Sequence, residues 1–137
     1  MGITKSYLTD LTYKVTGAAI EVHKRLGPGL LESVYHNCLE KELELRNISF
    51  KSEYKIPYSY KGFDVDIDLR CDFLVENNLI VELKSVVNII PIYEAQLLTY
   101  MKLLEVPKGL MINFNVENIY SDGQKTFVND WYRNLID

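Results

Sequence analysis

The stretch RCDFLVENNLIVELKS at residues 70–85 decides the fold, because it predicts two neighbouring strands joined by a tight turn. Apolar residues dominate both arms, and the ENN between them is typical of a turn. Pairing Val75 with Leu79 across that turn puts Asp72 opposite Glu82. In this register the odd-numbered apolar residues of both strands share one face, whereas a shift by one residue would turn one strand over.

The charges at the open end of this hairpin indicate a metal site. Directly opposed side chains have Cβ atoms roughly 4.5–5.5 Å apart, and two carboxylates that close repel unless they share a proton or a cation. Lys84 projects from the same face as Asp72 and Glu82, with Arg70 opposite it. Carboxylate oxygens suit Mg²⁺ or Mn²⁺, and a nearby lysine can position water or neutralise charge. The pattern predicts a phosphodiesterase site.

Two other interpretations of these charges stay open. Acids that alternate along a strand usually form only a solvated face, and Asp64, Asp66 and Asp68 belong to the same alternating run. Asp72 and Glu82 also resemble a glycosidase-type acid pair, although a lysine beside the acids makes this the weakest interpretation.

The composition predicts one globular domain, residues 1–137. No apolar run approaches the ~20 residues that span a bilayer, and the first residues lack a secretory signal, so we expect a soluble cytoplasmic protein without membrane contact. The net charge of -4 argues against a dedicated nucleic-acid binder but leaves a nuclease with an acidic metal site open. Cys38 and Cys71 lack metal spacing and are expected to be small buried residues.

Periodicity along the chain predicts two helices, three strands in a meander, a third helix and two more strands. These lie at about residues 9–26, 30–46, 49–60, 63–75, 79–84, 92–104, 109–114 and 125–128. The order indicates an α/β or α+β fold with a mixed sheet.

Two helices carry further candidate residues. Ile92, Gln96 and Tyr100 form a stripe, which predicts a buried amide that is either a satisfied core group or part of a site. Glu32 lies about three residues into its helix, where a carboxylate complements the helix dipole and can cap backbone N–H groups. Tyr35 shares its face.

Several motifs resemble one known family. GPGLLESVY resembles the signature of the GxxExxY proteins, which belong to the PD-(D/E)XK nuclease-like superfamily, and RCDFLVENNLIVELKSV, EAQLLTY and GLMINF follow in the matching order. The resemblance covers about residues 11–128. It implies a restriction-endonuclease-like αβββαβ core, in which a mixed β-sheet with a three-strand meander is flanked by helices.

The resemblance also implies a site. It places the metal-binding aspartate, the E-x-K acid and lysine, the Q-x-x-x-Y pair and the helical glutamate on Asp72, Glu82, Lys84, Gln96, Tyr100 and Glu32. Asp72, Glu82 and Glu32 would bind Mg²⁺ or Mn²⁺, with the Leu83 carbonyl as a further candidate ligand.

Four motif residues carry no such role. Cys71 stands where the superfamily's name has proline, a position that varies. Gly29 and Tyr35 match the signature without an assigned role. His23 is expected to be a packing or helix-surface residue rather than a ligand, although His23-Lys24-Arg25 could contact phosphate.

The implied function is metal-dependent hydrolysis of phosphodiesters in DNA or RNA. The alternative is a catalytically silent nuclease fold that acts as a binding or assembly module, because fold does not determine function. A homo-oligomer is compatible with either.

Overall fold

A computed structural model describes residues 2–65 and 68–137. The described chain forms the following helices and strands in order: α1 Lys5–Leu26, α2 Glu32–Leu45, β1 Phe50–Lys55, β2 Ser59–Tyr60, β3 Phe63–Asp64, β4 Arg70–Val75, β5 Leu79–Lys84, α3 Pro91–Leu104, β6 Lys108–Asn113, α4 Ile119–Asp122, β7 Gln124–Val128 and α5 Asp130–Arg133. None of the described helices is both long and apolar enough to cross a membrane.

The main sheet has the strand order β1-β4-β5-β6-β7. Strands β5 and β6 are parallel and α3 connects them, while the other neighbours are antiparallel. Helices α1 and α2 pack on one face with Val81 and Leu110, and α3 packs on the other with Ile80 and Met111. This architecture confirms the predicted fold class, a mixed sheet with a three-strand meander between helices.

The predicted hairpin register is correct where the two strands pair. Val75 pairs with Leu79 and Phe73 with Val81. Glu76 and Asn77 have φ angles of 48° and 60°, the left-handed conformation that asparagine tolerates better than most residues. Turn chemistry therefore fixes the register, as the sequence predicts.

The strand predicted over residues 63–75 is wrong in its extent. Strand β3 ends at Asp64 and forms a separate hairpin with β2, while β4 begins at Arg70. Asp66 and Ile67, two members of the alternating run, lie outside the described residues. Not every apolar residue of this run is buried, since Phe63 is 74% exposed. An alternating apolar and polar pattern alone therefore did not predict where the strand begins.

The face predicted for Cys71 is also wrong. Phe73 packs with α1 and α2, whereas Cys71 packs in the cluster on the α3 face, as does Tyr54 of the neighbouring strand. The reversal occurs at Glu53, whose φ of 47° interrupts the regular β1–β4 pairing opposite Asp72. A left-handed residue rotates the strand, and the side chains beyond it change face.

The helix boundaries differ modestly from the periodic pattern. Helix α1 begins earlier than predicted because the Thr4 hydroxyl caps it, accepting a hydrogen bond from Tyr7 N at 3.0 Å. Helix α2 begins at Glu32, two residues later than predicted. The four-residue helices α4 and α5 were not predicted, because they are too short to show a period, although Asn118 and Asn129 cap them.

Candidate metal centre

Beyond the Phe73–Val81 pair, strands β4 and β5 separate, and carboxylates replace the backbone pairing. Asp72 N donates to Glu82 Oε2 at 2.6 Å, and Leu83 N donates to Asp72 Oδ2 at 2.7 Å. The two predicted acids therefore do lie together, but they are joined through backbone N–H groups rather than as a regular pair. Glu82 is only 6% exposed.

The electrostatics of this cluster disfavour negative charge on its acids. Burial, and then the charge of Asp72, raises the pKa of Glu82 to about 8. Burial raises the pKa of Asp72 despite the hydrogen bond from Leu83 N. Burial followed by the charge of Asp72 raises the pKa of Glu32. Three carboxylates that disfavour each other's ionised form are what a cation would relieve.

Glu32 reaches the cluster because the α1–α2 loop is held in place. Gly27 and Gly29 have φ angles of 73° and 94°, which glycine adopts without strain. The Tyr35 hydroxyl donates to Gly27 O at 2.6 Å and accepts from Leu30 N at 3.1 Å, so it links both ends of the turn. The glycine and tyrosine of the GPGLLESVY stretch thus have a structural role: they set the start of α2, where Glu32 is the first residue.

The same loop is attached to the strand that carries the other acids. The buried ring of Tyr35 stacks on Phe114 with centroids 4.4 Å apart. Ser85 Oγ, directly after β5, donates to Leu30 O at 2.6 Å. The side-chain oxygen of Asn113, Oδ1, accepts from Val86 N at 3.1 Å, which fixes the chain just beyond β5. The end of β5 and the start of α2 therefore form one unit.

Lys84 lies at this strand end with its ammonium 4.3 Å from the centroid of the Tyr93 ring on α3. Among residues 2–65 and 68–137, no carboxylate oxygen comes within 4 Å of it. Its charge nevertheless lowers the pKa values of Glu32, Asp72 and Glu82. It is close enough to act on the acids without being neutralised by any one of them.

The predicted placement of all these groups on one sheet face is wrong. Asp72 lines a cleft on the α2 side, whereas Lys84 contacts α3. Arg70 does not stand opposite Lys84, because the strands have separated, and it pairs instead with Asp68 at 2.7 Å. The site lies at the open end of the β4–β5 pair, and Glu32 and Asp72 line a cleft on its α2 side.

The α2-side cleft has a volume of about 440 Å³ and contains a histidine that the sequence analysis overlooked. Its lining residues are Glu32, Ser33, His36, Asn37, Glu53 and Asp72. His36 stacks on Phe73 with centroids 4.4 Å apart, and its Nε2 lies 2.8 Å from Ser52 Oγ. The available signal was its spacing, since His36 follows Glu32 by one helical turn.

The two α3 candidates occupy different environments. Tyr100 is 7% exposed, and burial followed by the charge of Glu82 raises its pKa, so it lies near the acids. Gln96 is exposed, and Ile92 is 65% exposed. The predicted buried stripe is therefore wrong for both, because α3 turns Leu97 inward together with Tyr100.

Of the four motif residues without a site role, His23 is buried and packs in the core. Its Nε2 lies 2.8 Å from Val116 O, and its ring lies 6.4 Å from that of Phe114. Cys71 is buried, and burial with the charges of Glu82 and Asp72 raises the pKa of its thiol to about 12. Both predictions of a packing role are confirmed.

The donor set fits a hard divalent cation. Glu32, Asp72 and Glu82 offer carboxylate oxygens, the ligand type that Mg²⁺ and Mn²⁺ prefer. Within the described part of the chain, no three His, Cys, Asp or Glu side chains already converge as a ready metal-binding group. Each of Asp72 and Glu82 uses one oxygen to accept a backbone hydrogen bond. The chemistry of the donors fits, and the side chains would have to adjust to bind an ion.

A sequence model of the PD-(D/E)XK nuclease superfamily matches residues 9–126. The chain belongs to the PD-(D/E)XK nuclease superfamily. No curated protein and no solved structure matches the chain significantly. PD-(D/E)XK nucleases generally use divalent metal ions and act on nucleic acid. The matched region includes the α1–α2 loop, the β4–β5 hairpin and α3, which supply all the candidate site residues.

Proposed function

We propose that this PD-(D/E)XK protein is a metal-dependent nuclease that hydrolyses phosphodiesters in DNA or RNA. The observation that carries the proposal is the convergence of Glu32, Asp72 and Glu82, whose pKa values are all raised, beside the Lys84 ammonium, which has no carboxylate oxygen within 4 Å in the part of the chain that the structure describes. A purely structural cluster would neutralise such acids with a close ion pair.

The acids and the lysine have separate roles in this proposal. Asp72, Glu82 and Glu32 would bind Mg²⁺ or Mn²⁺, with the Leu83 carbonyl as a further candidate. When bound, the ion supplies Lewis-acid polarisation of the phosphodiester and neutralises its charge. Lys84, held against the Tyr93 ring, orients the attacking water or stabilises the negative charge that develops on the phosphoryl oxygens.

Residues of α3 complete the site. Tyr100 packs beside Glu82 and limits the positions that this carboxylate can take. Gln96 lies one helical turn away at the surface, where its amide is available to a substrate phosphate. Both act as positioning residues in this proposal, Tyr100 on the acid and Gln96 on the nucleic acid.

A second candidate function, a catalytically silent binding or assembly module, is favoured by two observations. Asp72 and Glu82 each accept a backbone hydrogen bond that replaces strand pairing, so both acids also serve the fold. An acidic chain of net charge -4 is also a poor general binder of nucleic acid.

A cleavage assay with purified protein tests the proposal. Labelled single-stranded, duplex and branched DNA and RNA are incubated with Mg²⁺ or Mn²⁺, using wild type, Glu82→Gln and the surface control Glu44→Gln. We expect metal-dependent cleavage by wild type and the control, and none by Glu82→Gln. Mn²⁺ should raise the melting temperature of wild type only if the acids bind it. Metal binding without cleavage of any substrate would select the silent module.

A further inference from the structure

A second cleft, of about 550 Å³, lies between α1 and the β6–β7 side of the sheet. Its walls include hydroxyls of Thr9, Thr12 and Thr16 on one side of α1, and Lys108 at the start of β6. Lys108 is paired with Leu79, the first residue of β5, and Lys84 lies five residues further along that strand. The two lysines are therefore separated by roughly 16 Å along the sheet.

The side chain of Lys108 is mostly covered, but its ammonium remains solvent-accessible and has no close counter-ion among the described residues. The residue is 8% exposed, and within the described ranges no carboxylate oxygen lies within 4 Å of its ammonium. Burial lowers its pKa. Its ammonium lies 5.8 Å from the centroid of the Tyr132 ring, and the ammonium of Lys5 lies 5.6 Å from the same centroid. An aromatic ring shared by two ammonium groups does not replace an anion.

The rest of the lining reinforces this positive charge. Lys14 and Arg46 also line the cleft, and its described lining contains no Asp or Glu. The guanidinium of Arg46 is already ion-paired with Glu42 at 2.8 Å, so the added unpaired charge comes from Lys14. The ring of Tyr13 is 77% exposed and that of Tyr120 is 68% exposed, so both present open aromatic surface at the same cleft. Cations, hydroxyl groups and aromatic rings in one concave site are the groups that bind a phosphate ester of a flat heterocycle.

We propose that this cleft binds a nucleotide 5′-monophosphate, with the phosphate against Lys108 and the base against Tyr13 or Tyr120. The volume holds one nucleotide rather than a strand. The source of the ligand is either a free mononucleotide or the phosphorylated 5′ end of a nucleic acid. The site is independent of the proposed nuclease activity, because it lies at the other end of β5 and uses none of the acidic residues.

Calorimetry and thermal melts in EDTA test the site with AMP, adenosine and inorganic phosphate as probes. We expect AMP to bind and to raise the melting temperature at millimolar concentration, and adenosine to bind at least about tenfold more weakly because it lacks the phosphate. Lys108→Met should weaken AMP binding about tenfold or more, whereas Lys102→Met, on the exposed surface of α3, should not.

Further variants keep the test decisive. If Lys108→Met does not fold, the exposed substitutions Lys14→Glu and Tyr13→Ser should each weaken AMP binding several-fold without changing the melting temperature of the free protein. The double variant Glu82→Gln with Lys84→Met should still bind AMP. The proposal is overturned if AMP produces no heat or melting shift, if Lys108→Met and both surface variants bind like wild type, or if the double variant loses binding.

Matched oligonucleotides identify the source of the phosphate. A short single strand with a 5′-phosphate is compared with the same strand lacking it, in the double variant so that no substrate enters the acidic site. Binding of the phosphorylated strand as tightly as AMP assigns the site to strand ends, and much weaker binding assigns it to the free nucleotide. Either result supports the proposal, provided that the phosphate-free strand binds no better than adenosine.

Discussion

The two clefts at opposite ends of β5 have opposite charge for related physical reasons. At its end, the carboxyls of Glu32, Asp72 and Glu82 all have raised pKa values, so their ionised forms are disfavoured despite one nearby lysine. At its beginning, Lys108 is a mostly covered residue with no carboxylate oxygen within 4 Å among the described residues, and burial lowers its pKa. In both places the charged form is disfavoured, and a ligand of opposite charge would stabilise it. The acids at one end of β5 therefore favour a cationic ligand, and Lys108 at the other end favours an anionic one.

The largest expected effect is on the cleavage rate, and it distinguishes the role of Lys84 from that of the three acids. Lys84→Met should lower the cleavage rate about a hundredfold to a thousandfold, because the ammonium that acts on the phosphate or the water is lost. Since the three carboxylates remain, Mn²⁺ should still raise the melting temperature, unlike in Glu82→Gln. Single-turnover cleavage and thermal melts measure the two properties. Loss of metal binding in Lys84→Met would mean that the lysine shapes the acidic site rather than acting on substrate.

The pH dependence of stability tests whether the acids are unbalanced without metal. The pKa of Glu82 in the folded protein is about 8, above its ordinary 4.5, so the folded state binds more protons between these values. The free energy of unfolding should therefore be highest near pH 4.5 as far as Glu82 contributes, and it should fall by a few kcal/mol as pH rises through 8. Urea denaturation in EDTA measures this decline.

A neutral variant supplies the control for that decline. Glu82→Gln keeps the shape of the side chain and its acceptor oxygen for Asp72 N but cannot ionise. Its free energy of unfolding should change less with pH over the same range, and at pH near 8 without metal it should exceed that of wild type. If the free energy of unfolding of Glu82→Gln changed with pH as steeply as that of wild type, the ionisation of Glu82 would not be disfavoured in the folded protein. That result would contradict the raised pKa on which the contrast between the two clefts rests.

A change in the loop that positions Glu32 should lower stability without affecting ligand binding in the basic cleft. Tyr35→Phe removes the hydroxyl that links Gly27 O and Leu30 N, and it should lower the free energy of unfolding by about 1–3 kcal/mol. Tyr13→Phe, at an exposed ring, is the matched control and should change it little. Equal losses in both variants, measured by urea denaturation, would contradict the structural role assigned to Tyr35. AMP binding should be unaffected by Tyr35→Phe.

The sequence predicted the acidic cleft far better than the basic one, because its residues lie in contiguous motifs. Asp72, Glu82 and Lys84 follow from one hairpin register, and turn chemistry specifies that register. The rotation at Glu53 could not be predicted, since nothing in the local pattern requires a left-handed glutamate. Lys108 directly precedes the strand predicted from about residue 109, where a charged residue is normally exposed. Its burial results from tertiary packing, which the local sequence does not show.

The orientation of α3 was missed for a similar reason. Both Ile92 and Leu97 are apolar, and periodicity alone does not say which turn of a helix faces the core. Packing against β6 decides it, because Gly109 leaves room for Leu97 and Met101: a Cβ at Gly109 would lie 2.8 Å from the sulfur of Met101. Gln96 is consequently exposed, although the motif that contains it was recognised.

The smallest expected effect tests the basic cleft in the absence of any ligand. Lys108→Met keeps most of the length and apolar surface of the side chain. It removes a charge that burial disfavours and that has no carboxylate oxygen within 4 Å among the described residues. If the ammonium is uncompensated, the variant should be more stable than wild type by about 1 kcal/mol at neutral pH. The difference in stability should shrink at alkaline pH, where the lowered pKa lets Lys108 lose its proton first.

Denaturation with and without AMP measures the free and the bound protein. AMP should raise the free energy of unfolding of wild type and leave that of the variant unchanged. A variant less stable than wild type in both conditions would show that the Lys108 ammonium stabilises the fold. Its charge would then not be disfavoured in the way that the acids at the other end of β5 are.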